Sequence, residues 1–198
     1  MISTVILASG KSTRMGKNKL LLPFKEHTII EEVIDNSLKS NSDEIILVYK
    51  DRTIGEIGKN KGIKTIYNSE YEKGQSTSVK KGLGEVSPNS QGILFVLGDM
   101  PLIHEEIMNK IINTFKNTKK TIIVPLYNGK RGNPVLFHRK WKNNIMDISG
   151  DHGPRKLIME NPNEIEYVHI YDCKFNLDVD SKGDYERVKM LIEENKSI

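Results

Sequence analysis

Positive charge is concentrated in a short glycine-containing window close to the N-terminus. Lys11, Arg14, Lys17, Lys19 and Lys25 lie within fifteen residues that include no acid. The window follows an apolar run, and its small residues allow backbone N–H groups to approach an anion. Arginine can bind phosphate oxygens with its planar fork, and lysine adds a mobile point charge. The window therefore predicts a phosphate-binding loop, and the alternative is a plain turn with solvated lysines.

Two common phosphate-binding patterns do not fit this window. Gly10, Lys11 and Ser12 match the end of a P-loop, but Val5 stands where its first glycine belongs. A dinucleotide fingerprint also fails, because there is no middle glycine between Gly10 and Gly16. The phosphate prediction therefore depends on the position of the loop after a strand, its small residues and its charge.

An aspartate follows another apolar run, farther along the chain. Gly92–Leu97 has the composition of a buried strand, and Gly98 and Asp99 come directly after it. An acid at that place lies at the carboxyl edge of a parallel sheet, where α/β proteins bind ligands. Mg²⁺ prefers such hard oxygen ligands. The alternative is a cap for the next helix, but a cap would lie nearer Ile103–His104. We therefore expect Asp99 to hold a metal ion.

The elements that would position these residues alternate along the chain. Apolar stripes with helical spacing, namely Ile29, Ile30, Val33, Ile34 and Leu38, then Ile107, Ile111, Ile112 and Phe115, lie between short apolar runs. Such alternation predicts a mostly parallel sheet with helices on both faces, a Rossmann-like three-layer α/β sandwich. The predicted strands are Thr4–Ala8, Glu44–Tyr49, Lys64–Tyr67, Gly92–Leu97, Thr121–Pro125, Gly132–Phe137 and Ile165–Ile170. The last helix is predicted over Ser181–Asn195, with Ser181 as its N-cap.

Three polar stretches connect the elements of this pattern. Residues 68–78 read as a turn into a helix over Thr77–Leu83, with Ser76 as its N-cap. Residues 128–137 and 149–156 combine glycines with cations, and each reads as a loop when taken alone.

Length and composition limit the class of protein. The 198 residues suit a single domain, residues 1–198, and there is no apolar run long enough to span a membrane. A lone Cys173 cannot form an internal disulfide, so we expect a cytoplasmic protein. The formal charge of +4 would tolerate nucleic acid, but basic and aromatic residues do not alternate as on a base-stacking surface. We expect neither nucleic acid nor a membrane as a partner.

The N-terminal window resembles the signature of a known family. The stretch LASGKSTRMGKNKLLLPF is similar to that of the MobA-like nucleotidyltransferases, and its LLLP is similar to that of the molybdenum cofactor cytidylyltransferase branch. LGDMPL around Asp99, RGNPV and GDHGPR are similar to further blocks of that branch. The resemblance implies a fold like that of the nucleotide-diphospho-sugar transferases. The matching residues of the first block are Leu7, Ala8, Gly10, Ser12, Arg14, Met15, Gly16 and Lys19.

The resemblance also implies the roles of individual residues. Arg14, Lys19 and Asp99 would be catalytic, with Arg14 and Lys19 on the triphosphate. Asp99 would bind Mg²⁺, together with Asp180 or Asp178 from the stretch before the last helix; the alternative for Asp180 is an acid that favours the helix dipole. The nucleotide site would be lined by Leu7, Ala8, Ser9, Gly10 and Ser12. The base and ribose would be bound by Gly74, Ser76 and Ser78. The molybdopterin-type cofactor would be bound by Arg131, Asn133, Asp151, His152 and Arg155.

The implied reaction is a Mg²⁺-dependent transfer of CMP from CTP to the terminal phosphate of that cofactor, with release of pyrophosphate. Ser9 stands where the family has Gly in its guanylyl branch and Ala in its cytidylyl branch. A residue larger than glycine favours CTP and leaves GTP as the alternative. A sugar phosphate is a further alternative acceptor, although RGNPV and GDHGPR argue against it. A different class of function is a non-catalytic accessory protein that delivers the cofactor to a molybdenum hydroxylase.

Overall fold

A computed structural model describes residues 1–10, 18–151 and 153–194 of the chain. Short, mainly apolar segments form the central strands, as expected for β-structure that is buried on both faces. In chain order the strands are β1 (Ile2–Ala8), β2 (Pro23–Phe24), β3 (His27–Thr28), β4 (Glu44–Tyr49), β5 (Lys64–Tyr67), β6 (Gly92–Leu97), β7 (Ile122–Tyr127), β8 (Lys130–Arg131), β9 (Val135–His138) and β10 (Ile165–Ile170).

Eight of these strands form one sheet with the order β10-β7-β9-β6-β1-β4-β5, and β8 pairs with β7. The neighbours β6, β1, β4 and β5 are parallel, and so are β10 and β7. β9 lies between the two parallel groups and is antiparallel to both β6 and β7. The carboxyl ends of β1, β4 and β6 therefore meet at one edge of the sheet, which is where the charged loops begin.

The predicted strands are found, with small differences at their ends. β4, β5, β6 and β10 have the predicted bounds, whereas β1 begins earlier and β7 extends to Tyr127. The strand that was predicted over Gly132–Phe137 begins only at Val135. Pro134, directly before Val135, has no N–H group to donate to a neighbouring strand, so the pairing of β9 starts after this proline.

Seven α-helices cover the two faces of the sheet in the described part of the chain. The two helices that the apolar spacing predicted are both present, although Leu38 of the first is 46% exposed rather than buried. The helices are α1 (Ile29–Lys39), α2 (Arg52–Asn60), α3 (Gln75–Gly84), α4 (Glu105–Asn117), α5 (Lys142–Met146), α6 (Arg155–Glu160) and α7 (Lys182–Glu194).

The two predicted caps have different outcomes. Ser181 caps α7 as predicted, because its Oγ accepts the backbone N–H of Asp184 and the Asp184 carboxylate accepts the N–H of Ser181. The predicted cap at Ser76 is wrong, since α3 begins at Gln75, two residues before the predicted start at Thr77, and Gly74 precedes its first residue. Gly74 has φ of 108°, a conformation that favours glycine, and this turn sets the start of the helix.

The core has two parts, one on each face of the sheet. Side chains from α1, α2, α4 and α7 pack in one part, and side chains from α3, α5 and α6 pack in the other. The predicted fold class, a single α/β domain in three layers with a mostly parallel sheet, is confirmed. The helices of the described residues are all too short or too polar to cross a membrane.

Candidate active site

A cleft opens at the carboxyl edge of the sheet. Its walls come from the ends of β1 and β6, the beginning of α3 and the loop before α6, which the sequence separates widely. The lining residues are Leu7, Ser9, Gly10, Lys19, Leu20, Tyr71, Gly74, Gln75, Ser78, Leu97, Asp99 and Asp151.

Lys19 joins the two predicted metal ligands at the centre of this cleft. Its Nζ donates to Asp99 Oδ2 and to Asp180 Oδ1, each at 2.6 Å. The side chain of Lys19 is 9% exposed, while those of Asp99 and Asp180 are 20% and 45% exposed. Three residues from distant parts of the sequence thus form one charged group, open to solvent on the side of Asp180.

The charges of this group affect one another strongly. Burial raises the pKa of the Asp99 carboxyl, and the neighbouring Asp178 and Asp180 raise it further, against the opposing effect of Lys19. Burial alone would lower the pKa of Lys19, but Asp99 and Asp180 outweigh it and raise that pKa. A site with this excess of carboxylate over ammonium favours the binding of another cation.

The extended stretch before α7 is fixed to the loop after β6 by a backbone contact. The N–H of Val179 donates to the Asp99 carbonyl oxygen at 3.0 Å. Asp178 and Asp180, on either side of Val179, are therefore both held near Asp99, and Asp180 is the one that contacts Lys19.

The residues present are compatible with Mg²⁺. Asp99 and Asp180 already bind one ammonium group between them, so a single cation can bridge their carboxylates. Within residues 1–10, 18–151 and 153–194, the acids, histidines and cysteine form no group of three or more suited to a metal ion. Mg²⁺ commonly uses only one or two carboxylates and takes its remaining ligands from water and substrate phosphates.

The turn before α3 packs tightly against the loop before α6. A Cβ on Gly74 would lie 2.4 Å from the backbone carbon and oxygen of Gly150, and the Ser76 N–H donates to the Gly150 carbonyl. Asn68, which is fully buried, donates through Nδ2 to Ser78 Oγ at 3.1 Å. Gly74 and Ser78 face the cleft, whereas Ser76 is buried and does not line it.

Ser9 is held against the neighbouring strand. Its Oγ donates to the Val48 carbonyl oxygen at 3.2 Å, and the residue is buried at the wall of the cleft. Ala8, the residue before it, is buried in β1 and does not line the cleft. Leu7 and Gly10 do line it.

The residues predicted to bind the acceptor are divided by the structure. Asp151 lines the cleft with Lys19 and Asp99. Arg131 lies outside it, exposed on β8, where its guanidinium stacks on Tyr167 and donates to that hydroxyl at 2.6 Å. Asn133 accepts the Tyr127 hydroxyl through its backbone oxygen at 2.5 Å, and Arg155 is exposed at the first position of α6.

Three predicted residues, Ser12, Arg14 and His152, lie outside the described residues. Three further residues at or beside the cleft were not predicted from the sequence. Tyr71 and Gln75 line the cleft, and Asn18 contacts Asp51 beside Lys19. The position of Asn18 directly before the predicted triphosphate lysine was a usable signal, because asparagine readily bonds to nearby backbone groups.

Fold and charge together define a class: an α/β protein with its ligand site at the carboxyl edge of a mostly parallel sheet, as in nucleotide-binding proteins of this architecture. Residues 4–165 match the family model of the MobA-like NTP transferase domain. The chain therefore belongs to that family of nucleotidyltransferases.

Two relatives come from molybdenum cofactor metabolism. The molybdenum cofactor cytidylyltransferase of Escherichia coli (strain K12) is 31% identical over 188 residues, which cover 93% of each chain. A probable molybdenum cofactor guanylyltransferase of Natranaerobius thermophilus is 33% identical over 130 residues, covering 65% of this chain and 62% of the relative.

A solved structure extends the comparison to three dimensions. The protein Rv0371c of Mycobacterium tuberculosis H37Rv, in complex with manganese, superimposes with a TM-score of 0.79 at 25% identity. The match covers 94% of this chain and 96% of the other.

Proposed function

We propose that the protein is a cytoplasmic molybdenum cofactor cytidylyltransferase. It transfers CMP from CTP to the terminal phosphate of a molybdopterin-type cofactor, with Mg²⁺ as the metal ion. The observation that carries the proposal is the contact of Lys19 with both Asp99 and Asp180, in a cleft of a MobA-like domain. The cytidylyltransferase relative, which matches along nearly the whole chain, supports the choice of substrates.

The reaction is a single in-line displacement at phosphorus. An oxygen of the acceptor's terminal phosphate forms a bond to the α-phosphorus of CTP, and the bond to the bridging oxygen breaks, so that pyrophosphate leaves with that electron pair. No covalent enzyme intermediate is needed, since positioning and charge neutralisation supply the catalysis in such transfers.

The cleft residues divide this work among them. Lys19 holds the triphosphate and neutralises charge on it, and Arg14, which lies outside the described residues, is assigned the same role by the family signature. Asp99 and Asp180 hold Mg²⁺, which supplies Lewis-acid stabilisation of the phosphates when bound. Gly74, Ser78 and Asp151 line the cleft. Gly74 and Ser78 would contact the base and ribose, and Asp151 would contact the acceptor. The manganese complex of the M. tuberculosis protein supports a divalent cation in this fold.

The choice of CTP over GTP depends on the wall of the cleft beside Ser9. The Ser9 side chain fills space there and is held by its hydrogen bond to Val48, so a base that needs the room left by a glycine is disfavoured. The guanylyltransferase relative, which covers less of the chain, keeps GTP as the second candidate nucleotide.

The test is an assay of pyrophosphate release with CTP, GTP or ATP, each with and without the molybdopterin cofactor. We expect release that requires the cofactor and is fastest with CTP.

The variant Asp99→Asn keeps the shape of the side chain but removes its charge, and it should slow transfer at least about a hundredfold, because several kcal/mol of charge stabilisation is lost. Glu56→Gln, on the exposed surface of α2, is the matched control and should keep full activity.

Other outcomes have definite meanings. Cofactor-dependent release that is fastest with GTP would identify a guanylyltransferase. The absence of release with all three nucleotides, combined with cofactor binding, would favour an accessory protein that delivers the cofactor to a molybdenum hydroxylase. Substantial turnover by Asp99→Asn at saturating Mg²⁺ would contradict the metal assignment.

A further inference from the structure

We propose that Asn18 is the residue that positions Lys19, and that Asp51 fixes Asn18 for this purpose. The inference rests on the proposed function, because it concerns the lysine that would hold the triphosphate. Asn18 lies directly before this lysine, and Asp51 follows β4. The hydrogen bond between them sets which positions the Lys19 ammonium can reach.

Asn18 binds the main chain directly after Lys19 through its side chain and its backbone oxygen. Its Oδ1 accepts the backbone N–H of Leu20 at 3.2 Å, and its backbone oxygen accepts the N–H of Leu21 at 3.1 Å. Leu20 is itself 4% exposed and packs in the core. The backbone of Lys19 is thus held between an asparagine cap and a buried leucine.

The other end of the Asn18 amide is attached to a rigid part of the fold. Its Nδ2 donates to Asp51 Oδ2 at 2.8 Å. The second oxygen of Asp51 accepts the N–H of Thr53 at 2.9 Å and so caps α2. The hydrogen bond from Asn18 is the first reason why the pKa of Asp51 lies below its usual range, which keeps this carboxylate ionised and accepting.

Lys19 connects this anchor to the two acids on the opposite side. Its ammonium reaches Asp99 after β6 and Asp180 before α7, while its backbone is fixed through Asn18 to the end of β4. A catalytic cation loses effect steeply when it moves by about 1 Å. The Asn18–Asp51 bond therefore determines whether the ammonium lies where the triphosphate needs it.

Asn18 donates the hydrogen bond and Asp51 accepts it, so the role of the bond can be tested by changing each residue and then by exchanging the two. Asn18→Asp alone brings two carboxylates face to face and should displace Lys19 most. Asn18→Ala removes the bond and the cap without repulsion. In the double variant Asn18→Asp/Asp51→Asn the amide and the carboxylate change places, so every hydrogen bond of the pair and both caps can form again.

The experiment measures the exposure of the Lys19 amine directly. Each full-length variant, free of nucleotide, is treated briefly with acetic anhydride, and acetylation of Lys19 is followed by peptide mass spectrometry. We expect Lys19 to react roughly fivefold faster in Asn18→Ala, as for a lost hydrogen bond of about 1 kcal/mol. The reaction should be faster still in Asn18→Asp and return to the wild-type rate in the double variant. Turnover with CTP should follow the reverse order.

Controls separate positioning from loss of structure. Asn109→Ala removes an exposed hydrogen bond to Asn41, remote from the cleft, and should leave Lys19 acetylation unchanged. Circular dichroism identifies any variant that fails to fold, in which case Asn18→Ser, which keeps a cap without the Asp51 bond, takes its place.

Equal acetylation in wild type and Asn18→Ala, or a folded double variant that does not recover, would overturn the proposal. If acetylation follows the expected order but wild type has no transferase activity, the positioning role stands and the proposed function fails.

Discussion

Lys19 neutralises part of the negative charge of the cleft. Its ammonium contacts two carboxylates, of which Asp99 is 20% exposed, in a place where unpaired charge is costly. A triphosphate would compete with these carboxylates for the ammonium, and a metal ion would compete with the ammonium for the carboxylates. Nucleotide and metal ion should therefore assist each other's binding.

The variant Lys19→Met tests this competition. Removal of the ammonium takes away one positive charge beside Asp99 and Asp180, so the nucleotide-free protein should bind Mn²⁺ at least about tenfold more tightly, because a unit charge a few ångströms away is worth more than ~1 kcal/mol. Binding of CTP should weaken at the same time. Titration of Mn²⁺ followed by electron paramagnetic resonance measures the first effect.

A lysine in another ion pair provides the matched control for charge. Lys61, the residue directly after α2, pairs with Asp35 on α1. Lys61→Met removes the same charge and should leave Mn²⁺ affinity unchanged. Equal or weaker Mn²⁺ binding by Lys19→Met would show that the ammonium does not compete for the metal site.

At the scale of elements, the beginning of α3 and the loop before α6 act as one unit. They meet where Gly74 touches Gly150, and the Ser76 N–H fixes the contact. The unit carries Ser78 and Asp151, which were assigned to the nucleotide and the acceptor respectively. Under the proposed function, its internal packing would set the distance between the two substrates.

Gly74→Ala should disturb this unit in two ways. An added Cβ would contact the Gly150 backbone at 2.4 Å, and alanine is strained at φ of 108°. We expect a loss of about 2–3 kcal/mol in the free energy of unfolding and a decrease of at least about tenfold in kcat/KM, since misplacement of a positioned substrate is costly. Urea unfolding and the pyrophosphate assay measure the two effects.

Gly62→Ala separates strain from contact. Gly62 also has positive φ, 72°, but a Cβ there would meet no atom within 4 Å. Its replacement should cost about 1–2 kcal/mol from backbone strain alone and leave transfer unchanged. If the two variants lose activity to the same extent, the contact with Gly150 has no special importance.

At the scale of the whole molecule, β9 connects the two parallel groups of strands. It pairs with β6 on one side and β7 on the other, so the residues of β9 contribute to both halves of the sheet. Leu136, in the centre of this strand, is fully buried and pairs with Leu94 on β6 and Ile123 on β7. The halves are expected to unfold together because they share this strand.

Leu136→Ala should therefore destabilise the entire domain, by about 2–5 kcal/mol as for other large-to-small core changes. Leu38→Ala is the same substitution at a residue that is 46% exposed, and it should cost less than ~1 kcal/mol. Fluorescence of Trp141, the single tryptophan, reports on the C-terminal half, and circular dichroism reports on all helices. Transitions at different urea concentrations would contradict a cooperative single domain.

The sequence predicted most of the sheet because burial on both faces leaves a local record. The runs that became β4 and β6 are nearly continuous stretches of apolar residues, whereas β5 and β10 mix apolar with polar residues. All four have the predicted bounds. The place of β9 between β6 and β7 leaves no such record. It depends on which strands pair over long distances, and the same local pattern suits either a central or an edge strand.

The start of α3 shows a second limit of local patterns. Ser76 has the residue type of a cap, but Gly74 precedes the helix because its φ and its contact with Gly150 fit that position. The contact joins residues that lie far apart in the sequence. Propensity ranks residue types for a cap, whereas packing against another loop decides which residue occupies that place.

By itself, the sequence determined the elements, the family and the chemical types of the residues at the edge of the sheet. Apolar periodicity and short motifs are local; together with the family resemblance they identified Lys19, Asp99 and Asp180 as candidates and assigned the two acids to one metal ion, but they did not relate Lys19 to either acid. Only the tertiary structure decided that one ammonium contacts both acids, across 80 and 161 residues of sequence, and that Asn18 and Asp51 fix its backbone. The physical reason is that ion pairs and hydrogen bonds act over a few ångströms, and only the order of the strands together with the packing of the segments that follow them brings such distant residues within that range.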